Sequence, residues 1–364
     1  MYYKNELLAL KKSGRFRKRK LYSNSLIDIA SNDYLGLSTK KKIFKKTLKR
    51  INNTKCFSPK SSVLVNGYHQ IHKNFEKKLS KINKFESGIV VGSGFLANIA
   101  LIESMVRKQD ILFIDEDYHA SGILASSLVQ GSVVFFKHND YKDLEEKIIN
   151  SNCKKRIIIA IEGVYSMSGD IAPMELSLVA NKYNALMIVD EAHSSGVIGK
   201  NLLGWFDYWN ITPKQNHIKM GTLGKAYGSY GAYILASKHI ISFLENRGKP
   251  IIYSTAPSLF DISYAHESLN YIIKNKKKIY KKIKKYQNII FKELNISIKA
   301  LIAPIEIDDN NKVIQMQKNF LKKGFVVGAI RQPTVPKAII RLIVKLDISE
   351  DNIQKACKLM QSKI

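Results

Sequence analysis

Ala185-Leu186-Met187-Ile188-Val189-Asp190-Glu191-Ala192-His193 is the stretch on which the fold of this chain turns. Its first five residues are apolar without alternation, which suits a strand covered on both faces, as in parallel sheets. An acidic residue then stands at the strand's carboxyl end, where open α/β sheets gather their chemistry. The quartet Asp190-Glu191-Ala192-His193 also occurs in helicases, but a helicase needs a GxxxxGK[ST] phosphate loop. The Gly-Lys pairs here, Gly199-Lys200 and Gly224-Lys225, are followed by Asn201 and Ala226 and lack that spacing. A nucleotide-hydrolysing reading fails.

Working outward, short apolar runs predict strands at 88–91, 111–114, 133–136, 156–161, 218–220, 231–235 and 251–253. Helical periodicity separates several of them, at 96–106, 141–149, 176–183 and 240–245. Strands alternating with helices predict an α/β fold: a mostly parallel sheet, seven-stranded, between helices. Beyond Pro257 a long helical pattern, 262–294, precedes strand patterns at 298–307, 326–330 and 339–344. Helical patterns at 312–322 and 349–360 fill the remainder. The expected organisation is a basic N-terminal arm (1–39), a large domain (40–257) and a smaller C-terminal α+β domain (258–364).

Two further stretches sit at predicted strand ends. Gly221-Thr222-Leu223-Gly224-Lys225-Ala226-Tyr227-Gly228 sets a lysine among small residues that let a ligand approach. Partial desolvation would lower that lysine's pKa and make its amine the nucleophile that imine chemistry needs. Gly92-Ser93-Gly94-Phe95 opens the helix predicted at 96–106, and small residues at a helix N-terminus can seat a phosphate. Alone, each has a bland reading: a surface lysine, a turn. Together they supply what pyridoxal phosphate demands, namely a carboxylate (Asp190) for the pyridine nitrogen, an amine (Lys225) and a phosphate seat. His119, after the strand at 111–114, could stack on the ring, or be structural.

Composition narrows the rest. With 45% hydrophobic and 24% charged residues the 364-residue chain reads as an ordinary folded protein. No run approaches the roughly 18–20 apolar residues of a membrane helix, and residues 1–20 lack the apolar core of a secretory signal. Cys56, Cys153 and Cys357 form no CxxC pair, so neither a disulfide framework nor a metal site is expected. The cytoplasm fits best. A net charge of +29 invites a nucleic-acid reading, but the lysines run along the whole chain. Their densest run, 274–285, spaces Ile279 and Ile283 as the apolar stripe of a wet, charged helix. No nucleic-acid partner is expected; a basic surface would instead attract an acidic partner or a phosphorylated thioester.

These residues resemble the α-oxoamine synthase family of fold-type-I pyridoxal-phosphate enzymes. The likeness covers nearly the whole chain. It begins at Ser31-Asn32-Asp33-Tyr34-Leu35-Gly36-Leu37 and continues through Asn66-Gly67, His72, Ser93-Gly94-Phe95 and Asp117-Tyr118-His119-Ala120. It resumes at Glu162-Gly163-Val164-Tyr165-Ser166-Met167-Ser168-Gly169-Asp170, Asp190 to His193, Thr222 to Lys225 and Tyr253-Ser254-Thr255. It closes on Ile330-Arg331-Gln332-Pro333-Thr334-Val335-Pro336 and Arg341.

The resemblance implies a decarboxylative condensation of an amino acid with an acyl thioester. By it, Lys225 carries the cofactor as a Schiff base, Asp190 pairs with the ring nitrogen, His193 bonds O3′ and His119 stacks on the ring. Ser93, Gly94, Phe95 and Thr222 border the phosphate; Ser254 and Thr255 reach the partner subunit's phosphate, which implies a homodimer with shared sites. Asn32, Glu162 and Ser166 surround substrate and ring, and Arg341 grips the amino acid carboxylate through its planar fork. Arg17 or Arg19 guards the acyl carboxylate, with Arg17 preferred. Ile330 to Pro336 looks closest to the member that joins L-alanine to a pimeloyl thioester, carried by coenzyme A or an acyl carrier protein. Glycine-using members share the machinery. The chain departs from the family in having Val63 where an arginine is usual, and in a shortened segment between Pro333 and Arg341.

Overall fold

The structure is a computed structural model that describes residues 2–151 and 155–361; Cys153 lies outside the described residues. The chain divides into two compact units, one of residues 35–166 and 170–280, the other of 2–34, 167–169 and 281–361.

The first unit is built on seven strands: β1 (Ser87–Val91), β2 (Ile111–Asp115), β3 (Ser132–Phe136), β4 (Ile157–Glu162), β5 (Leu186–Asp190), β6 (His217–Thr222) and β7 (Ala232–Ala236). They lie in the order β1-β7-β6-β5-β4-β2-β3. All run parallel except β7, which is antiparallel to both neighbours. The central strands are apolar throughout because both faces are covered: Ile158 to Ile161 and Met187 to Val189 are wholly buried. On one face the helices Gly94–Met105 and Lys238–Arg247 pack Ala97, Ala100, Leu101 and Leu244 against Ile114, Ile188 and Met220. This is a fold-type-I, α/β arrangement.

The strand predicted at 251–253 is instead the last turn of a short helix, Lys249–Ile252. Pro250 in its first turn explains the difference: proline's fixed φ starts a helix and leaves no amide for a ladder. Helices Lys41–Asn52 and Gln70–Asn83, absent from the sequence reading, precede the sheet.

The second unit holds an antiparallel three-stranded sheet, Gly328–Ile330 beside Ala338–Ile343 beside Ile302–Asp308, with helices Asn310–Lys322 and Glu350–Gln361. The pattern at 326–330 is split, since Phe325–Val326 pairs in parallel with Ile27–Asp28. That pairing gathers the N-terminal residues into this unit instead of leaving a separate arm. The helix Leu259–Leu294 begins just after the expected boundary at 257, and the chain changes unit inside it, after Tyr280.

Candidate active site

Parallel pairing aligns the carboxyl ends of β4, β5 and β6, so that Glu162 pairs with Asp190 and Asp190 with Met220. Everything that follows hangs from these ends. Asp190 is 3% exposed. Its Oδ1 accepts the Ala192 amide at 2.9 Å and its Oδ2 accepts Asn98 Nδ2 at 2.9 Å. Both neighbours are donors, the surroundings of an ionised carboxylate with acceptor capacity to spare.

Just past β6, Lys225 Nζ stands 2.6 Å from His193 Nε2. The turn that carries Lys225 is held close to the rest of the unit through Gly228, whose φ is +61°. A Cβ there would fall 2.4 Å from the Ser38 amide nitrogen. Glycine is the residue that tolerates both demands. Thr222 Oγ1 donates to the Gly231 carbonyl at 3.1 Å and accepts the Gly224 amide at 3.3 Å.

Ser93 caps the helix Gly94–Met105, its Oγ accepting the Leu96 amide at 3.2 Å. A Cβ on Gly94 would sit 3.7 Å from Thr222 Cβ, so this helix N-terminus and the end of β6 are side by side. Phe95 is exposed beside it. Free amides at a helix N-terminus next to a threonine hydroxyl suit a phosphate.

His119 begins the helix Ala120–Ser126, and its Nδ1 accepts the Ser121 amide at 3.2 Å. Burial of that edge lowers its pKa; nearby Lys225 lowers it further, against the pull of Asp190. Glu162 is 1% exposed, and burial first, then the Asp190 charge, holds its carboxyl well above the usual range. Its Oε1 is buried without a hydrogen-bond partner among the described residues, an atom that a bound group would satisfy. Ser166 is buried after β4.

The structure therefore gathers Asp190, His193, Lys225, His119, Glu162, Ser93, Gly94 and Thr222 at one sheet edge. A carboxylate ringed by donors, an amine against an imidazole, a helix N-terminus and an orphaned acid oxygen fit pyridoxal phosphate. Ser254 and Thr255 follow the helix Lys249–Ile252, and Thr255 is exposed. In the other unit Arg341, on strand Ala338–Ile343 and 6% exposed, donates to Asn32 Oδ1 at 3.0 Å, joining residues 309 positions apart. Arg17 and Arg19 are exposed in an irregular segment.

The sequence reading missed several groups. Asn98, Tyr118 and Ser121 make the buried hydrogen bonds that join Asp190 to His119. Their one signal was Asn98 itself, an amide inside the otherwise apolar helix start Gly94-Phe95-Leu96-Ala97. Glu191, beside Asp190, is architectural. It is wholly buried and takes the Trp205 amide and Ser194 Oγ, each at 2.6 Å, while Lys219 Nζ lies 3.3 Å away. Lys219 also donates to the Leu203 carbonyl.

Residues 24–359 match the family model for aminotransferase class I and II. The 8-amino-7-oxononanoate synthase of Helicobacter pylori strain J99 is 44% identical over 365 residues, covering 100% of this chain and 98% of that protein. The crystal structure of 8-amino-7-oxononanoate synthase from Francisella tularensis superposes with a TM-score of 0.77 at 26% identity, over 93% of this chain and 98% of that one. A serine palmitoyltransferase variant from S. paucimobilis, solved with a bound adduct of pyridoxal phosphate and myriocin, has a TM-score of 0.88 over 99% of this chain and 96% of that one; at 21% identity it speaks to the fold alone. Among the described residues no helix is long and apolar enough to cross a membrane. The chain is thus a pyridoxal-phosphate enzyme of the aminotransferase class I and II family and, within it, belongs to the acyl-transferring 8-amino-7-oxononanoate synthases.

Proposed function

We propose that the chain condenses L-alanine with a pimeloyl thioester, releasing carbon dioxide and the free carrier, to give 8-amino-7-oxononanoate for biotin synthesis in the cytoplasm. The observation that carries this is the strand-end cluster of Asp190, His193 and Lys225 within a chain that aligns end to end with synthases of that name.

Bound pyridoxal phosphate supplies the electron sink for charge that develops at the amino acid's α-carbon. The chain's residues do the rest. Asp190 would keep the ring nitrogen protonated, using acceptor capacity its two donors leave free. Lys225 Nζ would hold the cofactor and move the α-proton; His193 Nε2, 2.6 Å away, orients that amine and would bond the ring's hydroxyl. His119 would pack against the ring. The amides after Ser93, at Gly94 and Phe95, would hold the phosphate, joined by the Thr222 hydroxyl once it turns from the Gly231 carbonyl. Glu162 and Ser166 line the ring and substrate. Arg341 and Asn32, already bonded to each other, take the amino acid carboxylate, and Arg17, or Arg19 in its place, the far carboxylate of the acyl chain. Ser254 and Thr255 act in a homodimer, reaching the partner subunit's phosphate.

The test is a visible absorbance spectrum of the purified protein, titrated with L-alanine and then with glycine, followed by mass analysis of the product from pimeloyl-CoA. A visible band that responds to L-alanine, with 8-amino-7-oxononanoate formed, is expected. A response to glycine alone would move the enzyme to a glycine-using sister activity. No chromophore after adding pyridoxal phosphate would refute the role of Lys225.

A further inference from the structure

A closed chain of hydrogen bonds runs beneath the site. Tyr118 Oη lies 2.9 Å from Asn98 Oδ1, Asn98 Nδ2 lies 2.9 Å from Asp190 Oδ2 and 2.9 Å from Ser121 Oγ, and Ser121 Oγ lies 2.7 Å from His119 Nδ1. The roles along it are dictated by chemistry. The Ser121 backbone N–H can only donate, and it points at His119 Nδ1 at 3.2 Å, so that nitrogen carries a lone pair. An ionised Asp190 can only accept, so Asn98 must turn its NH2 toward it. The same NH2 then donates to Ser121 Oγ, and the serine proton is left to point at Nδ1. Asn98, Ser121 and Tyr118 are all buried, so the order cannot be reshuffled by solvent.

We propose that Asn98 and Ser121 are positioning residues that convey the ionised state of Asp190 to His119, keeping its imidazole neutral with the proton on Nε2. Reversing the order would require Asp190 to gain a proton and Asn98 to flip. Besides this chain, the charged or titratable groups facing His119 are Asp190 and Glu162 on the strand ends, and Lys225 with its neighbour His193. The inference rests on the proposed function for its purpose, yet its signature is separate from turnover.

The experiment is nitrogen-15 NMR of selectively labelled histidine in the full-length holoenzyme across pH, with His119→Asn assigning the signal. The wild type should show the Nε2–H tautomer and a midpoint below that of an ordinary histidine. Ser121→Ala keeps the backbone N–H on Nδ1, and with it the Nε2–H tautomer, but should raise proton affinity about tenfold, the equivalent of one lost hydrogen bond. Ser121→Thr should restore the midpoint. Asn98→Ala should reproduce the shift and also move the pH dependence of the visible band. Ser121→Ala with an unchanged midpoint overturns the proposal, whatever happens to the melting temperature. Should Asn98→Ala not fold, the two serine variants decide alone. Failure to use L-alanine would sink the functional reading and leave this result standing.

Discussion

His138 is held between two carboxylates, with Nδ1 2.9 Å from Asp115 Oδ1 and Nε2 2.8 Å from Asp170 Oδ2. Burial alone would lower its pKa; the bonds to Asp115 and Asp170 reverse this and push it up to about 10. Its unfolded value is near 6.5, so the folded state binds a proton more tightly. The stabilisation is complete below about pH 6.5 and is lost as pH rises through about 10. Thermal melts should therefore show His138→Gln well below wild type at pH 6, with the gap closing by pH 10.5. A pH-independent gap would mean that the contribution is packing. Lys225→Ala should lower turnover by at least about 10²–10⁴-fold, the usual worth of a positioned proton-transfer group, while circular dichroism stays native; retained turnover would contradict the assignment. At this scale the sequence showed what the site is made of more readily than what holds it. Asp190 and Lys225 announce themselves by standing after apolar runs. Asn98 meets Asp190 across 92 positions and His138 meets Asp170 across 32, contacts that no local pattern encodes.

Among the elements, those with uninterrupted apolar runs were legible, because burial on both faces leaves the same mark in sequence as in space: β4 and β5 fall within a residue or two of the reading. Helix Leu259–Leu294 was legible through its stripe, where Ile279 and Ile283 are buried and the flanking lysines are not. Ile251 misled because its apolar side chain serves a short helix as well as it would a strand. What binds β6 to the segment after β5 is the Lys219–Glu191 pair, both members no more than 1% exposed. Removing one member leaves the other charge buried, so Lys219→Met should cost about 3–5 kcal/mol. Replacing both, as Glu191→Gln with Lys219→Met, should recover part of that loss in denaturant titrations; a Lys219→Met variant as stable as wild type would show that the pair contributes little. Gly204 limits what else can change here: its φ is +96° and a Cβ would collide with Glu191 Oε2.

Over the whole molecule, the charge of +29 is spread over exposed lysines rather than gathered in a recognition module. Such a field favours an acidic thioester carrier and should be screened by salt. If the acyl donor rides on an acidic carrier protein, KM for it should rise steeply between low and moderate salt while KM for L-alanine stays level. A flat response for the donor would show that the basic surface does not recruit an acidic carrier. The placement of β7 has a consequence for how the chain is made. β1 bonds within the sheet only to β7, about 140 residues further on, and the ribosome delivers roughly 5–20 residues per second. The nascent strand Ser87–Val91 thus waits for roughly 7–30 s before its sheet partner exists, with the Val90 amide bonded meanwhile to Glu76 rather than to a strand. The turn proposed to seat the phosphate is consequently among the last parts of the sheet to be set, so that loading of the cofactor there should follow synthesis of the large unit rather than accompany it.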